Sequence, residues 1–388
     1  MNFELTPEQR RFADQIRGFA REHLAAGALQ RAHDPAFPFD VAQLMAKHGL
    51  MGITLPESDG GQGGTLTDAV IAITEVAAIC PRSADVVQFG NFGPIRTFAE
   101  YGTPAQKERW LGELLAGRMV MSLGMTESDA GSALTDLKTS AQADGSDYII
   151  DGSKVISTFS PDAQIFLVYV RYGPGQGGIG SVLIERGTPG FSIGAPSAFM
   201  SGEEWAELSF AGCRIPADNV LLGPGGFKKQ MAGFNVERLG NTARSLAYGR
   251  YAFNAARDYA MTRRQFDRPL CEFQGLQWKF ADMAIKLDAA ELLLYRAASN
   301  ADRGLPSAYE TAVAKAACNQ AGFDVASEAV QIMGALGYSR ETLVEYCMRR
   351  TRGWMIAGGS IEMLKNRIAE HIFERRFDQR KRPAVAAE

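Results

Sequence analysis

Apolar residues recur at helical spacing up to about residue 118, alternate with a period of two from about 119 to 222, and return to helical spacing as far as about Arg376. A helical stripe and a strand face bury their apolar side chains in incompatible ways, so a chain that switches period twice folds as helices, then sheet, then helices. Thr6-Pro7-Glu8-Gln9 opens the first unit as an N-cap, a proline at the first helical position and acids in the first turn. Further helices are expected over Asp40–His48, Leu66–Ile79, Ala84–Tyr101 and Pro104–Ala116, with a glycine-rich loop at 60–64. In the middle unit, Tyr148–Thr158 reads as strand, Asp151-Gly152 turn, strand. Short runs at 165–170, 181–184, 191–193 and 206–210 follow between Gly/Pro turns, which predicts a small antiparallel barrel or sandwich. Long helices are expected at Lys228–Thr262, Glu272–Ala301, Ser307–Met333 and Arg340–Arg376, the last of them interrupted. The fold class is therefore α+β, with a helical domain over 1–118, an antiparallel β-barrel domain over 119–225 and a C-terminal four-helix bundle over 226–388.

Met121–Ser132 changes character halfway: its first half alternates small and apolar residues, its second packs Thr, Ser, Asp and Gly together. A buried strand that delivers such a loop exposes backbone N–H groups and hydroxyls, which suits a phosphate or the polar edge of a flat ring. Composition removes several alternatives. The 41 basic and 44 acidic residues nearly cancel, which leaves no nucleic-acid footprint. Five cysteines without a CxxC and four dispersed histidines offer neither a disulfide frame nor a metal site. No run of 18 apolar residues and no basic-then-apolar leader is present, so the expectation is a cytoplasmic protein with no membrane association. The basic residues Arg349, Arg350, Arg352, Arg375, Arg376, Arg380, Lys381 and Arg382 read as a solvated helix face and a tail, with a role toward an anionic cofactor as the alternative.

Seven segments occur in order within this helix–sheet–helix frame: Pro56-Glu57 with Gly60-Gly61-Gln62-Gly63; Met125-Thr126-Glu127 with Ala130-Gly131-Ser132; Gly152, Lys154 and Thr158; Arg263-Arg264-Gln265-Phe266; Phe273-Gln274; Gln331 to Tyr338; and Gly358-Gly359-Ser360-Ile361-Glu362. Together they resemble the acyl-CoA dehydrogenase family from Leu5 to about Arg376. The resemblance implies that family's fold and a homotetramer (a dimer of dimers) with FAD between the barrel and the second helical unit. It implies that Met125, Thr126 and Ser132 line the flavin and its phosphates and that Thr158 meets the reacting edge of the ring. Arg263, Phe266, Gln274, Gln331 and Ala335 would reach the adenine and pyrophosphate of a cofactor bound across a subunit contact, and Ser360 and Glu362 close the cofactor set. One cation and one aromatic face suit a diphosphate and an adenine.

The implied chemistry removes a proton from the α carbon of an acyl thioester while hydride leaves the β carbon for flavin N5, with electrons passing to an electron-transfer flavoprotein. It needs a carboxylate base and donors at the thioester oxygen. Most members carry the base in an acid-Gly-Thr segment, where this chain has Gly358. Phe234-Asn235-Val236-Glu237-Arg238-Leu239 instead resembles the isovaleryl- and long-chain-type members, whose base is on this helix. The catalytic set is therefore Glu237 as base, Arg238 beside it, and the Gly358 N–H as oxygen donor, and Glu237 has to be desolvated to serve. Further departures are Ile156 for a tryptophan over the flavin, Ala133 for Asp, Asp267 for Gly and Arg350 for Asp. Phe89 points to a short or branched acyl group. The competing readings are a flavin-dependent monooxygenase or other non-dehydrogenase on the same fold, a binding protein whose site has decayed, and a substrate carried on an acyl carrier protein.

Overall fold

The computed structural model describes residues 4–302 and 306–377; the basic residues Arg380, Lys381 and Arg382 lie outside them. Seven helices come first: α1 (Pro7–His23), α2 (Ala28–Ala32), α3 (Phe39–Lys47), α4 (Leu66–Ala77), α5 (Pro81–Asn91), α6 (Pro94–Tyr101) and α7 (Pro104–Leu115). Thr6 caps α1 as expected, its hydroxyl accepting from Gln9 N while the Gln9 side chain accepts from Thr6 N. The helix expected over Ala84–Tyr101 is two, because Pro94 has no N–H and disfavours helical backbone at Gly93. The short α2 carries no periodic signal and was not expected. His23 and His48, far apart in the chain, meet with ring centroids 5.4 Å apart.

The middle unit is one nine-stranded sheet: β1 (Met121–Gly124), β2 (Ser140–Asp144), β3 (Asp147–Thr158), β4 (Ile165–Arg171), β5 (Ile179–Glu185), β6 (Phe191–Ile193), β7 (Ser197–Ala198), β8 (Glu204–Pro216) and β9 (Val220–Leu222). Its path is β6-β8-β3-β2-β4-β5-β9, with β1 on β4 and β7 on β8. It is an open sheet, not the closed antiparallel barrel expected. The terminal strands β6 and β9 have three residues each and do not pair with one another, while β1 joins β4 in parallel, Met121 opposite Ile165. The Asp151-Gly152 hairpin is also corrected. Residues 147–158 run as one strand with a bulge at Gly152, and the chain reverses instead at Gly145-Ser146.

The C-terminal unit holds α8 (Phe227–Thr262), a small hairpin of β10 (Arg264–Gln265) and β11 (Arg268–Pro269), then α9 (Gln274–Ala301), α10 (Ala308–Met333), α11 (Ala335–Tyr338), α12 (Leu343–Trp354) and α13 (Ile361–Ile372). The expected interruption of the last helix falls at 355–360 and contains Gly358 and Gly359, both in the left-handed region at φ 74° and 95°. Arg350 is not on a solvated face: it is buried. One apolar core runs from α1 and α3–α5 through α8 to α10 and α12, and a second joins α6 and α7 to β1, β4 and β5. The 36-residue α8 belongs to both, which makes it the beam on which the three units meet.

Candidate active site

The loop after β1 is held rigid from beneath. Glu127 is buried; its carboxylate accepts from Lys154 Nζ at 2.7 Å, Lys138 N at 2.6 Å and Thr139 N at 3.0 Å. Lys154, with no exposed surface, also donates to Met125 O at 3.4 Å, and Val155 N donates to Thr126 O at 2.8 Å. Burial raises the Glu127 carboxyl, but Lys154 and the N–H donors outweigh it and hold the carboxyl below its usual range. Burial pushes Lys154 down to about 8, so the pair stays ionised at neutral pH. Strand β3 thus clamps the loop, and Met125 and Thr126 sit half-buried above the clamp.

Thr158 is the last residue of β3; its carbonyl accepts from Ser122 Oγ at 3.0 Å, and it stands opposite Trp205. Two neighbours have unusual backbone: Ile156 at φ 62° and Phe159 at φ 56°. The left-handed region is costly for a β-branched side chain, and strain of this kind concentrates where a strand end is specified by function. Among the described residues the hydroxyls of Thr126, Ser132 and Thr158 have no hydrogen-bond partner, which leaves them free for a polar ring edge and phosphates. The loop and strand end therefore fit a flavin.

On the other side, α8 approaches α5 closely. A Cβ at Gly240 would lie 1.8 Å from Gln88 Oε1 and 2.5 Å from the Phe92 ring, so only glycine lets α5 rest there. Gln88 Nε2 in turn donates to Glu237 O at 3.4 Å. The Glu237 carboxylate is half-buried and, among the described residues, makes no hydrogen bond and no ion pair. Burial pushes it up to about 7 against the opposing pull of Arg244 and Arg238. Arg238 lies over the Phe234 ring, its cationic carbon 4.8 Å from the centroid, and donates to Asn235 Oδ1 at 2.7 Å and through Nε to Gly358 O at 2.8 Å. Arg238 and Gly358 are thus joined directly, and Glu237 precedes Arg238 on α8. A Cβ at Gly358 would face Lys315 Cε at 3.3 Å and Asn241 Nδ2 at 3.6 Å.

Of the remaining predicted residues, Ser360 and Glu362 follow shortly after Gly358 in the chain, and the other five lie apart from this centre. Arg263, Phe266, Gln274, Gln331 and Ala335 are all exposed. They gather at one end of the bundle, where Lys279 of α9 pairs with Glu328 of α10, and Arg263 carries no ion pair among the described residues. Phe266 is 88% exposed at a hairpin tip whose two turn residues, Phe266 and Asp267, both have positive φ. Ser360 caps α13, accepting from Met363 N at 3.4 Å, and Glu362 is exposed on its first turn. A surface cavity of about 600 Å³ on the sheet unit is lined by Thr135, Leu137, Lys138 and Arg171 and by none of the predicted site residues.

Two further buried groups lie outside the residues expected from the sequence. Lys315, a lone lysine among alanines in α10, is fully buried behind Gly358; the signal was its isolation in Ala-Val-Ala-Lys-Ala-Ala. A cluster of Arg82, Asp85, Glu203, Arg244 and Arg350 is buried where α5, α8, α12 and the sheet meet. No local pattern marks it. Among the described residues no group of three or more His, Cys, Asp and Glu is arranged to hold a metal ion, and no helix is long and apolar enough to cross a membrane.

Residues 6–118, 122–213 and 224–373 match the families described as acyl-CoA dehydrogenase N-terminal, middle and C-terminal domains. The chain is 33% identical over 392 residues to 3-sulfinopropanoyl-CoA desulfinase of Paraburkholderia xenovorans, covering 98% of this chain and 99% of the relative. It is 32% identical over 378 residues to a short-chain specific acyl-CoA dehydrogenase of Clostridium acetobutylicum, covering 96% and 100%. The structure of butyryl-CoA dehydrogenase from Megasphaera elsdenii superposes with a TM-score of 0.89 at 30% identity, covering 96% of this chain and all of that one.

Proposed function

The chain belongs to the acyl-CoA dehydrogenase family, and on that premise we propose that it oxidises a saturated acyl-CoA to the 2,3-enoyl-CoA with Glu237 as the α-proton base. It is an FAD-dependent oxidoreductase. What supports the base assignment is the state of Glu237: a half-buried carboxylate with no partner, raised to about 7, beside an arginine bonded to the Gly358 carbonyl. A base that has shed water but stays ionisable near neutrality is poised to accept a weakly acidic proton. Met125, Thr126, Ser132 and Thr158 would hold the flavin, and Arg263, Phe266, Gln274, Gln331 and Ala335 the nucleotide end at a subunit contact, with Ser360 and Glu362 nearby. FAD, when bound, supplies the acceptor for the β-hydrogen as hydride. The Gly358 N–H would donate to the thioester oxygen as negative charge develops there, and Arg238 would fix that turn while its own charge favours the enolate.

The proposed acyl group is short or branched: Phe89 packs edge-on against Phe37 and Phe159, with centroids 5.8 and 5.2 Å away, an aromatic cluster that would close the end of an acyl slot. Outward-facing Trp278, Ile285 and Leu292 recur every seven residues along α9, a stripe that suits a neighbouring copy in a homotetramer. Electron-transfer flavoprotein is the proposed acceptor and the cytoplasm the proposed location.

A second reading, a non-dehydrogenase reaction on an acyl-CoA with an anionic end, is favoured by one relative's activity as a 3-sulfinopropanoyl-CoA desulfinase. The buried cluster is consistent with it, its three guanidiniums facing two carboxylates among the described residues. The deciding experiment is anaerobic titration of the holoenzyme with saturated acyl-CoAs beside the Glu237→Gln variant. Flavin bleaching in the parent and not in the variant supports the dehydrogenase. No bleaching with any acyl-CoA, as for a monooxygenase or a desulfinase, overturns it, and a colourless preparation would mark a decayed site.

A further inference from the structure

Behind the turn that carries Gly358 lies a lysine with no exposed surface. Lys315 Nζ donates to Trp354 O at 3.0 Å and to Gly359 O at 3.2 Å, and among the described residues no carboxylate pairs with it. Burial, with Arg238 adding to it, pushes this amine down to about 7. An unpaired buried lysine is expensive, and α10 could place an alanine there at no cost to the helix, so its two bonds to main-chain carbonyls have to matter. The neutral amine still donates both, so they persist whether or not it is charged.

Their effect follows from peptide geometry. Arg238 Nε holds Gly358 O and Lys315 Nζ holds Gly359 O, so two successive peptide planes, the ones that carry the Gly359 and Ser360 N–H groups, are each fixed by a basic side chain; the Gly358 N–H, in the preceding plane, is left with the rotations about Gly358 alone. Among the described residues no peptide is cis; in these two planes the N–H groups of Gly359 and Ser360 therefore face away from the carbonyl that is held. The N–H groups of Gly358, Gly359 and Ser360 donate to nothing among the described residues. Left-handed glycines are the most freely moving backbone there is, and without these clamps a run of unpaired N–H donors would not keep one direction.

We propose that Lys315 is a positioning residue for the thioester-binding turn: with Arg238 it fixes the two peptides that follow Gly358, and so limits the directions left to the Gly358 N–H that meets the thioester oxygen. The inference rests on the proposed role of the Gly358 N–H. Asn319, one helical turn from Lys315, supplies a control: its Nδ2 donates to the same Trp354 carbonyl at 2.6 Å but has no bond to Gly359.

The test uses the FAD-loaded protein and two ligands that cannot reduce it, 2-butenoyl-CoA and S-(2-butenyl)-CoA, which differ only in that a CH2 replaces the thioester carbonyl. Calorimetric affinities give the preference for the carbonyl. The parent should prefer the thioester by about tenfold or more. Lys315→Met should reduce that preference to within about twofold while still binding the thioether. Lys315→Arg should restore it, and Asn319→Ala should keep it. Should Lys315→Met not fold, Lys315→Gln takes its place with the same expectation. A Lys315 variant that keeps the parent's preference, or an Asn319→Ala variant that loses it equally, overturns the positioning role. A parent that binds both ligands alike overturns the Gly358 N–H reading instead, and a parent that binds neither overturns the proposed function; in both cases the inference falls with the reading beneath it.

Discussion

At the scale of single residues, Glu237 carries the sharpest consequences. Its folded pKa is raised from the ordinary carboxyl range to about 7, so the native state binds more protons than the unfolded chain between those values. Its contribution to stability is therefore full at acid pH and is lost as pH rises through about 7. Glu237→Gln should remove that slope and leave the variant more stable than the parent at pH 8, by on the order of 2 kcal/mol in denaturant unfolding. Activity runs the other way, since the base works only when ionised. The rate of anaerobic flavin reduction should climb with pH through about 7 and level off above it. In Glu237→Gln it should fall by about 10³-fold with little pH dependence left. The Glu-Arg pair at 237–238 and the glycine at 358 stand out in the sequence because both are local patterns, and the role they suggest for Glu237 is what these pH profiles test. Lys315 is marked in the sequence by its isolation among alanines alone, because nothing adjacent in the chain says which face of α10 meets a turn more than forty residues on.

At the scale of elements, legibility followed the range of the interaction that fixes each one. The Thr6 and Thr103 capping boxes are written within four residues, and both helices start where those residues say. The Asp-Gly pair at 151–152 reads equally well as a turn, yet β2 and β8 flank the strand on both sides there and the ladder overrides the local preference. The β10–β11 hairpin shows the opposite imbalance: its two-residue turn needs positive φ at both positions and is filled by Phe266 and Asp267. Asp267→Gly should raise thermal stability modestly, by about 0.5–1 kcal/mol, seen as a small rise in Tm. The Glu127–Lys154 clamp under the cofactor loop predicts a larger effect. Lys154→Met strands a buried carboxylate, so it should cost about 3–5 kcal/mol in unfolding experiments and should also speed loss of FAD on gel filtration, because Met125 and Thr126 lose their support.

At the scale of the whole molecule, an ionic cluster joins the three units alongside their shared apolar cores. Asp85 of α5 accepts from Arg350 of α12 at 2.5 Å, Arg244 of α8 at 2.7 Å and Arg82 at 3.1 Å, while Glu203, just before β8, lies 2.9 Å from Arg350 Nε and accepts from Tyr346 at 3.1 Å. These residues span positions 82 to 350, so no window of sequence contains the pattern, and Arg350 looked like part of a solvated basic face. Apolar burial alone would let the helical units slide over one another, since hydrophobic contact has no direction; charged hydrogen bonds of fixed geometry do not allow that. Burial by itself raises the Asp85 carboxyl, but Arg350, Arg244 and Arg82 outweigh it and hold it well below the usual range. Its stabilisation is therefore present above the ordinary carboxylate pKa and is lost only as pH falls below it. Asp85→Ala leaves three guanidiniums converging on an empty place and should cost about 3–5 kcal/mol or prevent folding. Asp85→Asn keeps the shape but not the charge, and should retain secondary structure by circular dichroism. Because Arg244 is also the largest charge opposing the burial of Glu237, freeing it from Asp85 should shift the midpoint of the flavin-reduction pH profile downward. A stable Asp85→Asn protein with an unshifted profile would show that the cluster holds the units together without reaching the site.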